Sequence, residues 1–340
     1  MSDLNVAIVG ATGAVGGVMR QVLEERDFPC DALHLVASER SKGRRLSFRG
    51  QEIEVQALEE FDFSQVRIAL FSAGSEPSRQ FAPRAVEAGC LVIDNTSCFR
   101  YEPDIPLVVP ECNPERIADY RNRGIIANPN CSTIQMVVAL KPLYDAAGIE
   151  RINVATYQAV SGTGQAAIEE LRRQTGDALA DRESPCEVYP RPIAFNVLPH
   201  IDHFQDNGYT REEMKMVWET HKILEDENIG VNPTTVRVPV YTGHSEAIHL
   251  ETREPLSAAE ARALLEDAPG VVVIDEAADG GYPTAASDAA GRDEVFVGRI
   301  RQDLSHPRGL DLWVVSDNLR KGAATNSIQI AEQWLEQFGQ

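Results

Sequence analysis

The stretch LNVAIVGATGAVG, residues 4–16, decides the fold. Its first seven residues form an apolar run rich in Val and Ile, which is typical of a buried strand. A helical pattern follows from Ala14 to Glu25. Between strand and helix lie Gly10, Gly13 and Gly16, which let the backbone approach a pyrophosphate at the helix N-terminus. The stretch therefore predicts the first βα unit of a dinucleotide-binding domain.

The spacing of these glycines, G-x-x-G-x-x-G, departs from the G-x-G-x-x-G fingerprint of dinucleotide-binding proteins, so a plain βα turn remains an alternative. Further apolar runs at 32–38, 67–73 and 89–95 alternate with helix-length polar segments or with a hairpin-like insert at 46–58. This repetition predicts a parallel, doubly wound sheet of the Rossmann type in an α/β domain.

The second half of the chain has a different pattern. Strand-like runs with partial period-two alternation, mixed with a helical pattern at 257–267, predict an α+β domain with a large mixed sheet. The runs lie at 151–160, 234–240, 247–256, 270–276 and 294–303. The proline-dotted stretch 181–202 predicts a long loop or an interface arm. An amphipathic helix predicted at 326–338 could pack on the first domain.

We therefore place the dinucleotide-binding domain at residues 1–129, completed by 320–340, and the second domain at 130–319. The composition fits this plan, because 340 residues that are 43% hydrophobic and 25% charged are ordinary for a globular protein with two cores. A net charge of -20 argues against a nucleic-acid or anionic-membrane surface. The N-terminus lacks a signal-peptide pattern and no apolar run is long enough to span a membrane, so we expect a cytoplasmic protein.

The six cysteines are scattered without a C-x-x-C pair, so we expect no zinc site, no other metal and no disulfide framework. One of them has a distinctive context. In IIANPNCSTIQMVVAL, residues 125–140, Pro129 disfavours helix before it, Asn130 is a strong N-cap type, and the apolar run that follows predicts a buried helix. Cys131 would lie in the first turn, where the helix dipole lowers a thiol pKa and N–H groups stabilise an oxyanion. Cys98 is a second thiol near a predicted site, but it lacks this cap and helix.

A nucleophilic thiol needs a proton-transfer partner with a pKa near neutrality, usually a histidine. Of the seven histidines, His244 is the most suggestive, because it follows a strand that carries Arg237 and a bend at Gly243. Histidines at loop edges are available for chemistry, whereas His249 lies within a strand pattern and is expected to be structural.

Ligand-binding residues are also expected after strands. Arg100 follows the fourth predicted strand, where open α/β sheets bind ligands, and Gln158 with the turn 161–164 follows another strand in the same manner. Glu212 and Lys215, three residues apart, share a helix face. A solvent-exposed ion pair is the alternative for these two.

The end of the second predicted strand bears on the cofactor. A fold selective for NAD commonly has an acidic residue there that binds the ribose 2′-hydroxyl. In ASERSKGRR, residues 37–45, Glu39 is followed by Arg40 and Ser41, a grouping better suited to a 2′-phosphate. NADP is therefore favoured over NAD, although Arg44 and Arg45 also fit a solvated loop.

These segments resemble the aspartate-semialdehyde dehydrogenase family from end to end. The resemblance rests on six motifs in order, namely VAIVGATGAVG, DNTSCFR, NPNCSTIQM, TYQAVSGTG, RVPVYTGHSEA and SDNLRKGAATNSIQIAE. It implies a Rossmann domain joined to a catalytic and dimerisation domain, NADP as the cofactor, and a homodimer.

The resemblance also implies roles for individual residues. Cys131 matches the acyl-forming nucleophile and His244 the acid/base residue. The substrate-binding matches are Arg100 and Lys215 for phosphate, Arg237 for the carboxylate, Glu212 for the amino group, Gln158 for the acyl group, and Asn130 beside the oxyanion. The cofactor-binding matches are Gly10, Thr12, Gly13, Ala14, Val15, Arg40, Ser41, Ser161, Gly162 and Asn318.

The implied reaction is the NADPH-dependent reduction of L-aspartyl 4-phosphate to L-aspartate 4-semialdehyde and phosphate through a cysteine thioester. This step belongs to the biosynthesis of lysine through diaminopimelate, and of threonine, methionine and isoleucine. Two alternatives remain open at the level of sequence. One is a related phosphorylating aldehyde dehydrogenase, such as an N-acetyl-glutamyl-phosphate reductase or a glyceraldehyde-phosphate type. The other is a non-catalytic dinucleotide-binding relative, against which the presence of both Cys131 and His244 argues.

Overall fold

The computed structural model describes residues 4–339. The chain divides into two compact units, one that runs up to Asn130 and resumes at Ala323, and one that comprises Cys131–Gly322. The strands of the first unit are β1 (Asn5–Val9), β2 (Ala32–Ala37), β3 (Arg45–Phe48), β4 (Gln51–Ala57), β5 (Ile68–Phe71), β6 (Leu91–Asp94) and β7 (Ile125–Ala127). Those of the second are β8 (Ile149–Gln158), β9 (Gly230–Arg237), β10 (His244–Thr252), β11 (Val271–Val273), β12 (Val295–Gln302) and β13 (Gly309–Ser316). The helices are α1 (Ala14–Glu25), α2 (Ser75–Glu87), α3 (Cys131–Ala147), α4 (Gln165–Leu179), α5 (Arg211–Leu224), α6 (Ala258–Glu266) and α7 (Thr325–Phe338).

The first unit contains the predicted doubly wound sheet. Its strands follow the order β3-β4-β2-β1-β5-β6-β7, and all but β3 run parallel. Central β1 is buried on both faces, with Ile8 opposite Leu35 on one side and Leu70 on the other, which explains its continuous apolar sequence. The predicted hairpin-like insert is β3–β4, and its second strand extends the parallel sheet beside β2. The Rossmann-type architecture is therefore confirmed.

The C-terminal helix α7 packs on this same unit. Ile328 and Ile330 are fully buried in its core, and the ring of Trp334 meets Tyr120 edge-on with centroids 5.6 Å apart. The helix is stabilised mainly by packing of this apolar face and less by helix propensity. It completes a core whose other elements lie far earlier in the chain.

The second unit is built on a six-stranded mixed sheet in the order β11-β12-β13-β10-β8-β9. The pairs β8–β9 and β11–β12 are parallel and the others antiparallel. Helices α3, α5 and α6 pack against this sheet. The α+β prediction is confirmed, but β13 was missed by the sequence analysis and lies beside β10 in the middle of the sheet.

Some side chains of this sheet point away from the helices and remain partly exposed. They include Tyr157 on β8, His249 on β10 and Trp313 on β13, and the rings of Tyr157 and Trp313 lie 5.6 Å apart. A cavity of about 320 Å³ lies on the same strands. One face of the sheet is thus covered by α-helices. On the other face, Trp313 packs against a short π-helix, Ala285–Ala289, whereas Tyr157 is exposed.

The stretch 181–202 contains no helix and no strand, as predicted for a loop. It is nevertheless tightly held. The buried carboxylate of Glu170 on α4 accepts hydrogen bonds of 2.7, 2.7 and 3.2 Å from the backbone N–H groups of Glu187, Val188 and Tyr189. One carboxylate thus satisfies three backbone donors of an otherwise irregular segment.

Candidate active site

Four polar side chains from four adjacent strands form a single row across the second sheet. The register pairs Ser316 with His244, and Gln158 with Arg237. Since Ser245 lies opposite Tyr157, His244 lies opposite Gln158. All four residues are buried, and their side chains share one face because opposed residues in paired strands point the same way. We call Ser316, His244, Gln158 and Arg237 the polar row.

His244 is the first residue of β10 and is completely buried, unlike the accessible loop histidine that the sequence led us to expect. The backbone N–H of Ala159 donates a 3.0 Å hydrogen bond to its Nδ1. A neutral ring that accepts at Nδ1 carries its proton on Nε2, and Nε2 has no hydrogen-bond partner within residues 4–339. Burial, and then the positive charge of Arg237, lower the pKa of His244 to about 3. The expectation of a pKa near neutrality was wrong for this geometry, because burial disfavours the charged ring.

The predicted nicotinamide-side residues gather around this histidine. Asn318 donates from Nδ2 to Ser161 Oγ over 2.9 Å and accepts at Oδ1 from the backbone N–H of Gly243 over 2.9 Å. A Cβ placed on Gly162 would lie 3.1 Å from Arg237 Nη1 and 3.4 Å from His244 Nε2. The absence of a side chain at Gly162 therefore keeps both nitrogen atoms from being crowded by that residue.

Cys131 is the first residue of α3, as predicted, and is half-buried. A Cβ placed on Gly322 would lie 2.7 Å from the Cβ of Cys131 and 3.7 Å from the Cβ of Asn318. Cys131 and Asn318 thus both lie next to Gly322. Asn318 is hydrogen-bonded to Gly243, the residue before His244. The nucleophile and histidine predicted from sequence are therefore brought to a common neighbour within the second unit.

Three of the other thiols are poorly suited to nucleophilic chemistry. Burial raises the pKa of Cys98 and of Cys30, and raises that of Cys90 to about 12. Cys98 lies in the first unit, where its backbone N–H donates to Thr96 Oγ1 over 3.2 Å. A thiol with a raised pKa supplies little thiolate near neutral pH.

Arg237 and Glu212 carry the charge of the site. Arg237 is buried and donates from Nη1 to the carbonyl oxygen of Ala159 over 2.8 Å. Gln158 donates from Nε2 to Glu212 Oε1 over 3.1 Å, and Lys215 Nζ lies 2.9 Å from Glu212 Oε2. The Glu212–Lys215 pair is largely buried, so the alternative of a solvent-exposed ion pair was wrong.

A second carboxylate that the sequence analysis missed also pairs with Lys215. Asp202 Oδ2 lies 2.8 Å from Lys215 Nζ. Asp202 comes from the loop before α5 and adopts a left-handed φ of 68°, and no local pattern in that proline-dotted stretch indicates it.

Another buried carboxyl group lies on the same face of the sheet as the polar row. Glu246, two residues after His244 on β10, is completely buried opposite Thr156. Its polar neighbour is Gln135, which lies one helical turn after Cys131 on α3. Burial raises the pKa of Glu246 well above its usual value. The period of two along HSEA could have located this residue, since His244 and Glu246 must share a strand face.

In the first unit, Arg100 follows β6 and is buried. It donates from Nε to the Asn128 carbonyl over 2.9 Å and from Nη2 to the Asn95 carbonyl over 2.8 Å. Asn130, also buried, is the last residue of this part of the unit and directly precedes Cys131. Both residues lie beyond the carboxyl ends of parallel strands, where this class of sheet binds ligands.

The glycine turn fits a dinucleotide phosphate. Gly10 has φ 95°, and a Cβ there would lie 2.6 Å from the carbonyl oxygen of Ser72, while a Cβ on Gly16 would lie 2.3 Å from the Gly10 oxygen. Gly13 precedes α1 without a side-chain cap, so the first N–H groups, from Ala14 and Val15 onward, remain for a ligand.

Two parts of the predicted cofactor site lie next to each other at this turn. Thr12 Oγ1 lies 3.4 Å from Ser41 Oγ, and Arg40 beside it is exposed in the short turn Glu39–Ser41 after β2. The phosphate turn and the predicted 2′-phosphate residues are thus adjacent in the first unit. No group of His, Cys, Asp or Glu side chains in residues 4–339 is arranged to hold a metal ion, and no helix there is long and apolar enough to cross a membrane.

Two family models match the chain. The semialdehyde dehydrogenase NAD-binding domain matches residues 5–120, and the semialdehyde dehydrogenase dimerisation domain matches residues 140–321. Among curated proteins, aspartate-semialdehyde dehydrogenase of Legionella pneumophila is 66% identical over 98% of this chain and 96% of its own length. Aspartate-semialdehyde dehydrogenase 2 of Vibrio cholerae is 61% identical over 99% of each chain.

Solved structures agree with these matches. Aspartate-semialdehyde dehydrogenase II of Vibrio cholerae, in complex with ASA, superposes with a TM-score of 0.97 at 59% identity and covers 99% of this chain and 100% of its own. The enzyme of Candida albicans with NADP gives a TM-score of 0.77 at 27% identity, with 98% of each chain covered.

Proposed function

We propose that this chain, which belongs to the aspartate-semialdehyde dehydrogenases, catalyses the NADPH-dependent reduction of L-aspartyl 4-phosphate to L-aspartate 4-semialdehyde. The reaction would pass through a thioester on Cys131. One observation carries the mechanism. The Nε2–H of a buried, neutral His244 lies beside Gly162, and Asn318, which is hydrogen-bonded to the residue before His244, lies against Gly322 together with Cys131.

The Cys131 sulfur forms the covalent intermediate. As a thiolate it attacks the acyl carbon of the substrate, the carbon–oxygen bond to phosphate breaks, and a thioester remains. NADPH, when bound, would supply the hydride that reduces this thioester to the alkoxide of a thiohemiacetal. The carbon–sulfur bond then breaks, which releases the aldehyde and restores the thiolate. The position at the N-terminus of α3 supports this role, because the helix end favours negative charge on sulfur and oxygen.

His244, which the resemblance matches to the acid/base residue, acts through Nε2 as a neutral hydrogen-bond donor and does not itself gain or lose a proton. Since Nδ1 is occupied by the Ala159 N–H, only Nε2 is available to the oxygen of the acyl group. A neutral donor there stabilises the developing oxyanion at each tetrahedral stage. The backbone N–H of Ala159 holds the ring in this orientation.

The substrate-binding roles follow the charges of the site. Arg237 binds the α-carboxylate, for which a planar, two-pronged donor is better suited than an ammonium. Glu212 binds the amino group, and Gln158, bonded to Glu212, orients the acyl group. Arg100 and Lys215 bind the phosphate, and Asn130 lies beside the oxyanion.

The cofactor is a nicotinamide dinucleotide, given the NAD-binding family model and the relative that was solved with NADP, and we propose NADP. Residues Gly10, Thr12, Gly13, Ala14 and Val15 would hold the pyrophosphate, because the uncapped start of α1 leaves its N–H groups for an anion. Arg40 and Ser41 would bind the 2′-phosphate. Ser161, Gly162 and Asn318 would contact the nicotinamide side, as their contacts with one another support.

The assembly that we propose is a homodimer. The match to a dimerisation domain supports it, as does the exposed Tyr157 on the sheet face opposite the α-helices. We place the enzyme in the cytoplasm and in the biosynthesis of lysine, threonine, methionine and isoleucine.

A substrate panel tests the function. Phosphate-dependent reduction of NADP is measured with aspartate semialdehyde and with N-acetylglutamate semialdehyde, and each is repeated with NAD. We expect turnover with aspartate semialdehyde and NADP at an efficiency at least about tenfold above the other combinations. A preference for N-acetylglutamate semialdehyde would reject the substrate, and a preference for NAD would reject the cofactor. No turnover with either aldehyde would leave the non-catalytic alternative.

A further inference from the structure

The ammonium of Lys215 is held by two carboxylates at once. Its Nζ lies 2.8 Å from Asp202 Oδ2 and 2.9 Å from Glu212 Oε2, and its side chain is only 13% exposed. Burial alone would lower the pKa of Lys215, but the charges and hydrogen bonds of Glu212 and Asp202 outweigh it and raise the pKa. The lysine is therefore a fixed positive charge.

An ammonium has three N–H donors in tetrahedral directions. Two of these donors point to Asp202 and Glu212, so the direction of the third is determined. With either carboxylate alone, the ammonium could rotate about the remaining bond, and its long side chain could adopt other rotamers. Both carboxylates are needed to fix the third donor.

The two carboxylates are anchored differently. Glu212 lies on α5 and accepts a hydrogen bond from the side-chain amide of Gln158, so it is held by a member of the polar row. Asp202 lies on a loop, has φ 68°, and accepts at Oδ1 from the backbone N–H of His203 over 2.9 Å. A non-glycine residue is retained in this left-handed region only when the surrounding structure determines it.

The loop itself is tied to the site. The backbone N–H and carbonyl of Leu198 pair with those of Arg237 over 2.9 and 2.8 Å. Asp202 follows four residues later, after the buried Ile201. The same short segment therefore connects the backbone of Arg237 with the side chain of Lys215.

We propose that Asp202 is a positioning residue for phosphate, since it fixes the Lys215 ammonium so that its third N–H points to a phosphoryl oxygen. This inference rests on the proposed function, in which Lys215 binds phosphate. Asp202 itself does not contact the anion, which its own charge would repel. Its contribution is geometric and passes entirely through the lysine.

The test uses two substitutions that keep the loop backbone. Asp202→Gly suits the left-handed φ, and Asp202→Asn keeps the size and tolerates that region. In the phosphorylating direction, we expect Asp202→Gly to raise KM for inorganic phosphate about tenfold, the usual result of losing one charge-assisted hydrogen bond. We expect kcat and KM for aspartate semialdehyde to change by less than about threefold, and Asp202→Asn to fall between wild type and Asp202→Gly.

A double-substitution cycle shows whether the effect passes through the lysine. In a Lys215→Ala background, Asp202→Gly should add little further rise in KM for phosphate, because residues that act as one unit are not additive. The matched control is Asp181→Gly, an exposed aspartate with φ 53° on the same segment, which should leave all constants unchanged. An unchanged or lower KM for phosphate in Asp202→Gly, or an undiminished effect without Lys215, overturns the proposal.

Calorimetry of inorganic phosphate with the enzyme–NADP complex separates this proposal from the proposed function. If wild type fails to turn over aspartate semialdehyde, the substrate is wrong. The positioning role then stands if Asp202→Gly weakens phosphate binding about tenfold and falls if it does not. Equal phosphate affinity in wild type and variant overturns the proposal whatever the substrate.

Discussion

The backbone N–H of Ala159 lies 3.0 Å from Nδ1 of His244 and donates to it. Complete burial, and then the positive charge of Arg237, lower the pKa of this imidazole to about 3 and keep it neutral. A lowered pKa means that the ring gains a proton only when the pH falls toward 3, so no charge change of His244 occurs between pH 5 and 8.

We therefore expect the pH profile of kcat/KM to lack an inflection due to His244 between pH 5 and 8. His244→Ala should lower kcat at least about 100-fold by removal of the Nε2–H donor, with the same profile shape over that range. Steady-state rates at half-unit pH steps measure both. His249→Ala, at a partly exposed histidine of the same strand, is the control. An inflection near pH 6.5 that vanishes in His244→Ala contradicts the neutral assignment.

Cys131→Ser should lower kcat at least about 10³-fold, because an alcohol at this position is a poor nucleophile and no thioester can form. NADP affinity, measured by fluorescence titration, should stay within a few-fold of wild type. Cys98→Ser is the matched control and should retain most activity, since the pKa of Cys98 is raised by burial. Strong activity in Cys131→Ser, or loss of activity in Cys98→Ser, would show that Cys131 is not the nucleophile.

Gly162→Ala should lower kcat about tenfold or more without loss of folding. The new methyl group would lie 3.1 Å from Arg237 Nη1 and 3.4 Å from His244 Nε2, which fills the space that a reacting oxygen needs near both donors. Rates and a thermal melt distinguish a blocked site from an unfolded chain. Gly17→Ala on α1, where an added Cβ meets nothing within 4 Å, should be indistinguishable from wild type in rate. A fully active Gly162→Ala would show that this space is not used.

Glu246→Gln should stabilise the protein, and increasingly so as the pH rises. Burial raises the pKa of Glu246 in the folded state, whereas the unfolded chain ionises above about pH 4.5. The folded state therefore binds more protons, and its stability falls with rising pH by at most about 1.4 kcal/mol per unit. An uncharged amide removes this dependence.

Urea denaturation of wild type and Glu246→Gln at pH 5, 6, 7 and 8 measures the difference. Glu254→Gln, an exposed glutamate next to the end of the same strand, should show no growing difference from wild type. A difference that stays constant or shrinks with pH would mean that Glu246 is ionised in the folded protein.

Local features of the fold could be read from sequence. The turn at Gly10, the helix from Ala14 and the helix that begins at Cys131 depend on neighbouring residues, and the structure has all three where they were predicted. The strand β13 was missed because its identity depends on pairing with β10, which lies more than fifty residues earlier.

Burial and loop geometry could not be read in the same way. His244 follows a glycine and so looked accessible, but packing encloses it completely. Glu212 and Lys215 looked like an exposed pair. Their spacing along the helix predicts that the two side chains are close together, but it does not predict that packing buries them. Asp202 reaches Lys215 through a left-handed backbone that no short-range pattern specifies.

The polar row has a consequence for how an active molecule arises during folding. Ser316, His244, Gln158 and Arg237 come from β13, β10, β8 and β9, and each faces the same side only in one alignment of its strand. A slip of one residue in any strand would turn its member of the row to the opposite face. Enzymatic activity regained after dilution from denaturant therefore counts the molecules in which all four strands have found their correct alignment.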